Sequence, residues 1–340
     1  MFDPKTGFYI RSGLIENGKE TDVDPFMRNM PNLLDIGIMG KCKNRSQCTV
    51  GCYQGKNEKD NMTLENFKKI IDQCREYVFS VALGGSGSPN EHENFEDIVK
   101  YAYENKVVPN YTTSGIELTD SQIQATKDYC GAVAVSWYKK IYTYNAISRF
   151  LEAGCKTNVH YVLGNDSIDE AIFRIKTDDF PAGINAVLFL LYKPVGCVKQ
   201  NNVLQYEDPR VKEFFKLIET RELSFKVGLD ACSIPAVMNL SSKIDKNSTT
   251  SCDGASFSAY ITPDMNMIPC SFDNQKLQYA VSLNEFTIEQ AWNSQQFEQF
   301  RNYHRNSCPT CPDQNDCKGG CPITQEINIC NRKEKCYHEV

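Results

Sequence analysis

From residue 34 to residue 230 the chain alternates short, almost wholly apolar runs with amphipathic ones. LLDIGIM is followed by TLENFKKIIDQCREY, which places Leu64, Phe67, Ile70, Ile71 and Cys74 on one helical face behind Thr63, a suitable N-cap. VFSVALGG precedes NFEDIVKYAYENK, and VVPNYTT precedes a helical pattern over 119–129. GAVAVSW, KTNVHYVL and INAVLFLLY repeat the rhythm with helices at 143–153, 167–177 and 210–219, and SFKVGLD closes it. Strands apolar along their whole length are buried on both faces, which implies a parallel sheet covered by helices. Six or more such units without a reversal predict a full or partial barrel rather than an open doubly wound sheet. In both arrangements functional groups gather at the C-terminal ends of the strands. The glycine run GGSGSP (84–89) and the turn TTSG (112–115) both follow strands and should share one rim.

From about residue 231 turns, short strand candidates (SAYITPDMNMIPC) and cysteines replace that rhythm. A boundary is expected between 231 and 251, dividing the chain into an N-terminal extension (1–33), a barrel (34–231) and a small cysteine-rich, irregular α+β domain (232–340). TIEQAWNSQQFEQFRNYH (287–304) predicts a single helix docked on the barrel through Trp292, Phe297 and Phe300. The first residues lack the basic and apolar regions of an export signal. No apolar run reaches the roughly 18 residues of a membrane span. A cytoplasmic protein with no membrane partner is the expectation. A net charge of −6 gives no electrostatic support for a nucleic-acid partner.

Sixteen cysteines are too many for an ordinary cytoplasmic core. In a reducing compartment clustered thiols read as metal ligands rather than disulfides. Cys74, Cys130, Cys155 and Cys197 lie in or beside apolar segments and are expected to pack as small hydrophobes. Cys42, Cys48 and Cys52 instead crowd one loop, followed by Tyr53, directly after the first strand. Three thiolates can bind three irons of a cubane and leave the fourth open, although a structural zinc site stays open on this loop alone. Downstream, Cys308, Cys311, Cys317 and Cys321 form C-x2-C-x5-C-x3-C, flanked by Cys252, Cys270, Cys330 and Cys336. That spacing does not match the paired C-x2-C of zinc ribbons, and eight thiols suit two four-thiolate clusters.

With these residues the sequence resembles radical S-adenosylmethionine (SAM) enzymes that carry a C-terminal SPASM domain, from residue 34 onward. C-x2-C-x5-C-x3-C followed by a further cysteine is similar to the SPASM signature. GGSG (84–87) stands where the family has a GGE-type motif for the amino group of SAM. The chain departs from the family in three places. The first motif is C-x5-C-x3-C instead of C-x3-C-x2-C, Ser86 replaces the acidic residue, and Met265 stands where a glycine commonly precedes Cys270.

The resemblance implies a partial (β/α)6 TIM-like barrel, a SAM-binding [4Fe–4S] cluster on Cys42, Cys48 and Cys52, and two auxiliary [4Fe–4S] clusters. By motif position Cys252, Cys270 and Cys321 serve the first auxiliary cluster, with Cys232 as a fourth ligand. Cys308, Cys311 and Cys317 serve the second, completed by Cys330 or Cys336, and the longer return loop favours Cys336. Gly84, Gly85 and Ser86 would hold the amino group of SAM. Ser114, Ser136, Arg149 and Asn158 would reach its carboxylate or ribose. Asp273 resembles an acid that deprotonates substrate in sulfatase-maturing relatives, and Asp230 at the last strand end is the other catalytic acid/base candidate. His160 is expected in the core, and EHENFED (91–97) as a charged first helical turn.

The activity implied is reductive cleavage of SAM and hydrogen abstraction from a ribosomally made peptide or protein side chain, giving a crosslink or an oxidation. The alternatives are a small-molecule substrate, a sulfatase-type maturase, or a non-catalytic electron-transfer or zinc-stabilised binding protein. A flavodoxin or ferredoxin would supply electrons. The short region before the first strand has no room for a leader-recognition domain, so either a separate recognition protein serves or the substrate binds without that module.

Overall fold

The computed structural model describes residues 3, 15–20, 29–43, 52, 58–196, 200–244 and 249–331. A two-residue hairpin, β1 (Ile15–Glu16) and β2 (Lys19–Glu20), precedes the main body. The β-α rhythm then appears as expected. It comprises β3 (Leu33–Met39), α1 (Leu64–Cys74), β4 (Ser80–Gly85), α2 (Phe95–Glu104), β5 (Val108–Thr113) and α3 (Asp120–Tyr129), followed by β6 (Ala132–Ser136), α4 (Ile141–Glu152), β7 (Thr157–Leu163), α5 (Ile168–Thr177), β8 (Ala186–Leu191), α6 (Pro209–Thr220) and β9 (Lys226–Leu229). Strands β3 to β9 pair in sequence order, all parallel, with six intervening helices. The sheet has two ends and is not closed, so the barrel is partial.

Helix starts follow their side chains. Thr63 accepts from the backbone N–H of Asn66, and Thr119 with Gln122 forms a reciprocal capping box. Leu34, Ile36 and Ile38 on β3 are fully buried in one core with Phe67, Ile70 and Ile71 of α1. Alternation along the strand turns Asp35 and Gly37 to the concave face, until a register shift between Gly37 and Met39 interrupts it. Cys74 is buried, while Cys130 and Cys155 are half-buried against the core; Cys197 lies outside the described residues.

After β9 come a 3-10 turn (Ala231–Ser233), α7 (Ile234–Leu240), β10 (Ser258–Ile261), β11 (Asn266–Ile268) and β12 (Val281–Ser282). β10 pairs in parallel with β3, and β11 and β12 follow antiparallel, so the cysteine-rich region extends the barrel sheet across its first strand. Met265 turns between β10 and β11 with φ of 65°, its N–H donating to Thr262. The departure from glycine therefore keeps a glycine-type backbone. Its left-handed strain of about 1–2 kcal/mol is offset by burial of the side chain, which is 3% exposed.

The single helix expected over 287–304 is two, α8 (Ile288–Trp292) and α9 (Gln295–Asn306). Ser294 breaks it by capping the N–H of Phe297. The buried Arg301 guanidinium locks the corner, donating to the carbonyls of Trp292 and Ala255 at 2.7 Å each and stacking on the Trp292 ring. Trp292, Phe297 and Phe300 are buried, as expected. α10 (Gln314–Cys317) is a single turn within the cysteine block. No helix among the described residues is long and apolar enough to cross a membrane.

Candidate active site

The loop bearing the first three cysteines leaves the rim at the end of β3 and returns to it. Its neck is sewn shut: Lys59 N–H donates to Gly40 O, Met62 N–H to Ile38 O, and Gly40 N–H to Asn61 Oδ1. A β-carbon on Gly40 would lie 2.1 Å from the Asp60 carbonyl, so only glycine lets the two sides meet. Cys42 and Cys52 are half-buried; Cys48 and Tyr53 lie outside the described residues. The EHENFED segment does more than supply Glu96 and Asp97 to the first turn of α2. The ring of buried His92 bridges Met62 O at 2.8 Å and the Asn94 N–H at 3.0 Å, and Lys43 Nζ donates to Glu91 O. These contacts fasten the neck to the loop after β4.

The glycine run lies directly against that neck. Ser86 N–H donates to Met39 O at 2.7 Å, and a β-carbon on Gly85 (φ 115°) would stand 2.3 Å from the same oxygen. One on Gly87 would come within 3.5 Å of the Cys42 Cα. Gly84 faces open space, with nothing within 4 Å of its missing β-carbon. Ser88 Oγ meets Ser114 Oγ at 3.0 Å and accepts the Ser114 N–H, joining the loops after β4 and β5. Ser136 ends β6, in register with His160.

Two of the proposed SAM contacts are engaged elsewhere. Arg149, on α4, binds the Leu118 carbonyl and the Asp120 carboxylate, holding the β5–α3 connection. Asn158 is the second residue of β7, at the opposite end from the rim, and accepts from Asn185. His160 lines the concave face of β7 instead of the helix-packed core, its Nδ1 3.1 Å from Thr112 Oγ1. Burial lowers its pKa to about 4, so the ring is neutral near pH 7.

Cys232, Cys252, Cys270 and Cys321 converge from four separate places: the turn after β9, the approach to β10, the end of β11, and the segment after α10. Cys232 hydrogen-bonds Cys321 and lies close enough to Cys252 and Cys270 to raise their pKa values. Burial is the chief cause for Cys252 and for Cys270, the latter reaching about 12. For Cys232 the contact with Cys321 comes first. Cys321 is further enclosed by hydrogen bonds from the Thr324 N–H to its sulfur and from its own N–H to Asn328. Among the described residues no three His, Cys, Asp or Glu side chains draw close enough to share one metal ion. Four thiols are the donor number a cubane requires.

Cys308, Cys311, Cys317 and Cys330 line a second cavity with Met238 and Asn239, whose amide donates to the Cys330 sulfur. Cys308 takes φ of 52° and packs against Gly319. Among the described residues the fourth thiol in this cavity is Cys330; Cys336, which loop length favours, lies outside them.

Residues 252–318 match the family model of SPASM, an iron–sulfur cluster-binding domain. The chain carries a SPASM domain. The solved structures with the same architecture include Streptococcus suis SuiB bound to S-adenosylmethionine, with a TM-score of 0.68 at 17% identity over 89% of this chain and 77% of that one. SuiB bound to its precursor peptide SuiA superposes with a TM-score of 0.67 at 16% identity, covering 91% and 80%. Native anSMEcpe with bound AdoMet gives 0.63 at 15% identity, covering 87% and 90%. The fold is thus the partial β/α barrel shared with these structures, followed by a SPASM domain. No curated protein matches the sequence significantly. Met265, Cys270 and the C-x2-C-x5 run all fall inside the SPASM match, while Cys232, Cys321 and Cys330 lie outside it.

Both carboxylates expected to take a proton are committed to other partners. Asp273, 2% exposed, accepts the N–H groups of Gln278 and Tyr279; burial raises its pKa against the pull of those bonds. Asp230 pairs with Lys193 at 2.6 Å and accepts from Leu191 N–H and Ser233 Oγ. Sequence reasoning passed over Lys193 and Asp35. Burial, then the neighbouring Asp253, lifts the Asp35 pKa to about 7. A lone charge inside LLDIGIM and a lysine directly after INAVLFLLY were the available signals.

Proposed function

We propose that the chain is a radical SAM enzyme acting on a peptide or protein side chain. Residues 34–231 form its catalytic barrel and 232–340 its auxiliary-cluster domain. The observation that carries this is the contact between the Gly85–Gly87 turn and the Met39–Cys42 neck at one rim. Cys42, Cys48 and Cys52 would hold a [4Fe–4S] cluster there, with the open side of Gly84 receiving the amino group of SAM. SAM bound to that cluster supplies, on one-electron reduction, the 5′-deoxyadenosyl radical that takes hydrogen from the substrate.

The protein's own part is positional. Ser86, Ser88 and Ser114 fix the loops around the cofactor, and the neutral His160 offers the barrel interior a hydrogen-bonding group that adds no charge. The thiol sets Cys232/Cys252/Cys270/Cys321 and Cys308/Cys311/Cys317/Cys330 each supply four thiols, the donor number of a [4Fe–4S] cluster, and would hold the two auxiliary clusters once deprotonated. Asp230 would have to release Lys193 to accept a proton, and Asp273 two amides. We therefore assign the acid/base role on the concave face to Asp35.

SuiB has been crystallised with a precursor peptide and anSMEcpe with the Cp18Cys peptide, which favours a peptide substrate for this chain. Electrons would come from a flavodoxin or ferredoxin. Anaerobic, reconstituted protein should hold about twelve irons and release 5′-deoxyadenosine on reduction with SAM. No excess of 5′-deoxyadenosine over a Cys42, Cys48, Cys52 triple-alanine variant would refute the proposal.

A further inference from the structure

Lys193 is the one lysine among the buried residues described. It follows β8 at the rim, its side chain 5% exposed. Three contacts fix it: the Asp230 carboxylate at 2.6 Å, the Leu191 carbonyl at 3.1 Å, and the Phe272 ring, whose centroid lies 4.8 Å from Nζ. The first and third belong to the segments that carry the thiols. Asp230 stands two residues before Cys232, and Phe272 two residues after Cys270. The ammonium is thus clamped between the turn bearing one ligand and the turn bearing another.

Lys193 lies within electrostatic range of both Cys232 and Cys270. Burial by itself would favour the neutral amine, but the Asp230 carboxylate at 2.6 Å holds the proton on Lys193. An ion pair taken out of water is a weak source of stability, since desolvation offsets most of the attraction. Its value has to be sought in the field it makes.

We propose that Lys193, held by Asp230, is a positioning charge that sets the reduction potential of the cluster bound by Cys232, Cys252, Cys270 and Cys321. The assignment rests on the proposal above that these four thiols hold a cluster. Reduction adds one electron and one negative charge to the cluster, with no bond made or broken in the protein. A fixed cation beside it in a poorly solvated setting favours the reduced form. Lys193 thereby makes this cluster a better one-electron acceptor, and Asp230 limits how far.

The test uses the full chain with Cys42, Cys48, Cys52, Cys308 and Cys311 replaced by alanine, which leaves one cluster to observe. Iron is counted and the cluster is titrated with dithionite under electron paramagnetic resonance. Lys193→Met should move the midpoint potential to more negative values at unchanged iron content. Lys193→Arg should restore it, and Asp230→Asn should move it the opposite way. Equal potentials in the parent, Lys193→Met and Asp230→Asn would overturn the inference while leaving the cluster assignment intact. If Lys193→Met fails to assemble, the sign of the Asp230→Asn shift decides. If the parent binds no cluster, the assignment falls and the inference with it.

Discussion

Replacing Asp35 with asparagine should make the protein more stable at neutral pH and give it a pH dependence that the parent largely lacks. Asp35 sits in the middle of β3, on the concave face, beside Asp253 and Cys270. Its pKa rises from 3.8 in the unfolded chain to about 7 in the fold. A raised carboxyl keeps its proton in the native state where the unfolded chain has lost it. Stability therefore falls as pH rises from about 4 towards 7, and levels off above. Three units at about 1.4 kcal/mol each give a penalty on the order of 4 kcal/mol above pH 7. His160 acts in the other direction over the same window. With its folded pKa near 4 against 6.5, it contributes stability that is whole above pH 6.5 and is lost as pH falls towards 4, about 3 kcal/mol by the same conversion. In the parent the two slopes largely cancel. Asp35→Asn should expose the histidine slope, and His160→Asn the aspartate slope of opposite sign. Urea unfolding of the metal-free, reduced protein at half-unit steps from pH 4.5 to 8 reads both. Parallel pH profiles for the parent and Asp35→Asn would refute the assignment of a neutral carboxyl to β3.

Three further outcomes are expected. Cys330→Ser should lose about four irons together with the spectroscopic signal removed by Cys308→Ala, whereas Cys336→Ser should lose none; the reverse in iron analysis would return the fourth ligand to Cys336. Gly84→Ala should fold normally, having no atom within 4 Å of the added carbon, and lose SAM binding in equilibrium dialysis. Gly85→Ala, with a backbone oxygen 2.3 Å away and φ of 115°, should lower stability by about 1–3 kcal/mol, and equal melting midpoints for the two would contradict the loop geometry. Met265→Gly should destabilise by about 1 kcal/mol rather than stabilise, because losing a buried side chain worth about 1.5–3 kcal/mol exceeds the relief of left-handed strain; chemical denaturation measures the sign.

Sequence periodicity reports what lies three, four or two residues away, so the barrel strands and their helices were readable in advance. The thiol sets were readable for a related reason, since cysteine is scarce and its spacing is conspicuous. The missed features are single residues whose partners are distant in the chain. Asp35 acquires its character from Asp253, Lys193 from Asp230 and Phe272, and neither pairing leaves a local pattern. Arg149 and Asn158 were named from the family resemblance, which does not report that Arg149 binds Leu118 and Asp120 or that Asn158 lies near the start of β7. The break at Ser294 was masked because apolar residues keep a helical period on both sides of it. Loop length favoured Cys336, which lies outside the described residues, while Cys330 is brought to the cavity by packing beside Asn239 and Met238.

The neck formed by Gly40, Lys59, Asn61 and Met62 has a consequence for how such a cofactor loop can change over evolutionary time. Closure is achieved by backbone and amide contacts outside the cysteine spacing, so residues can be inserted between the thiols without disturbing β3, α1 or the glycine run. Lengthening a loop that is already closed costs little, about 0.6 kcal/mol for each doubling. Five residues between the first two cysteines and three between the next two are thus compatible with the same frame. The fastening holds the rim, and the interval between ligands can lengthen without undoing it.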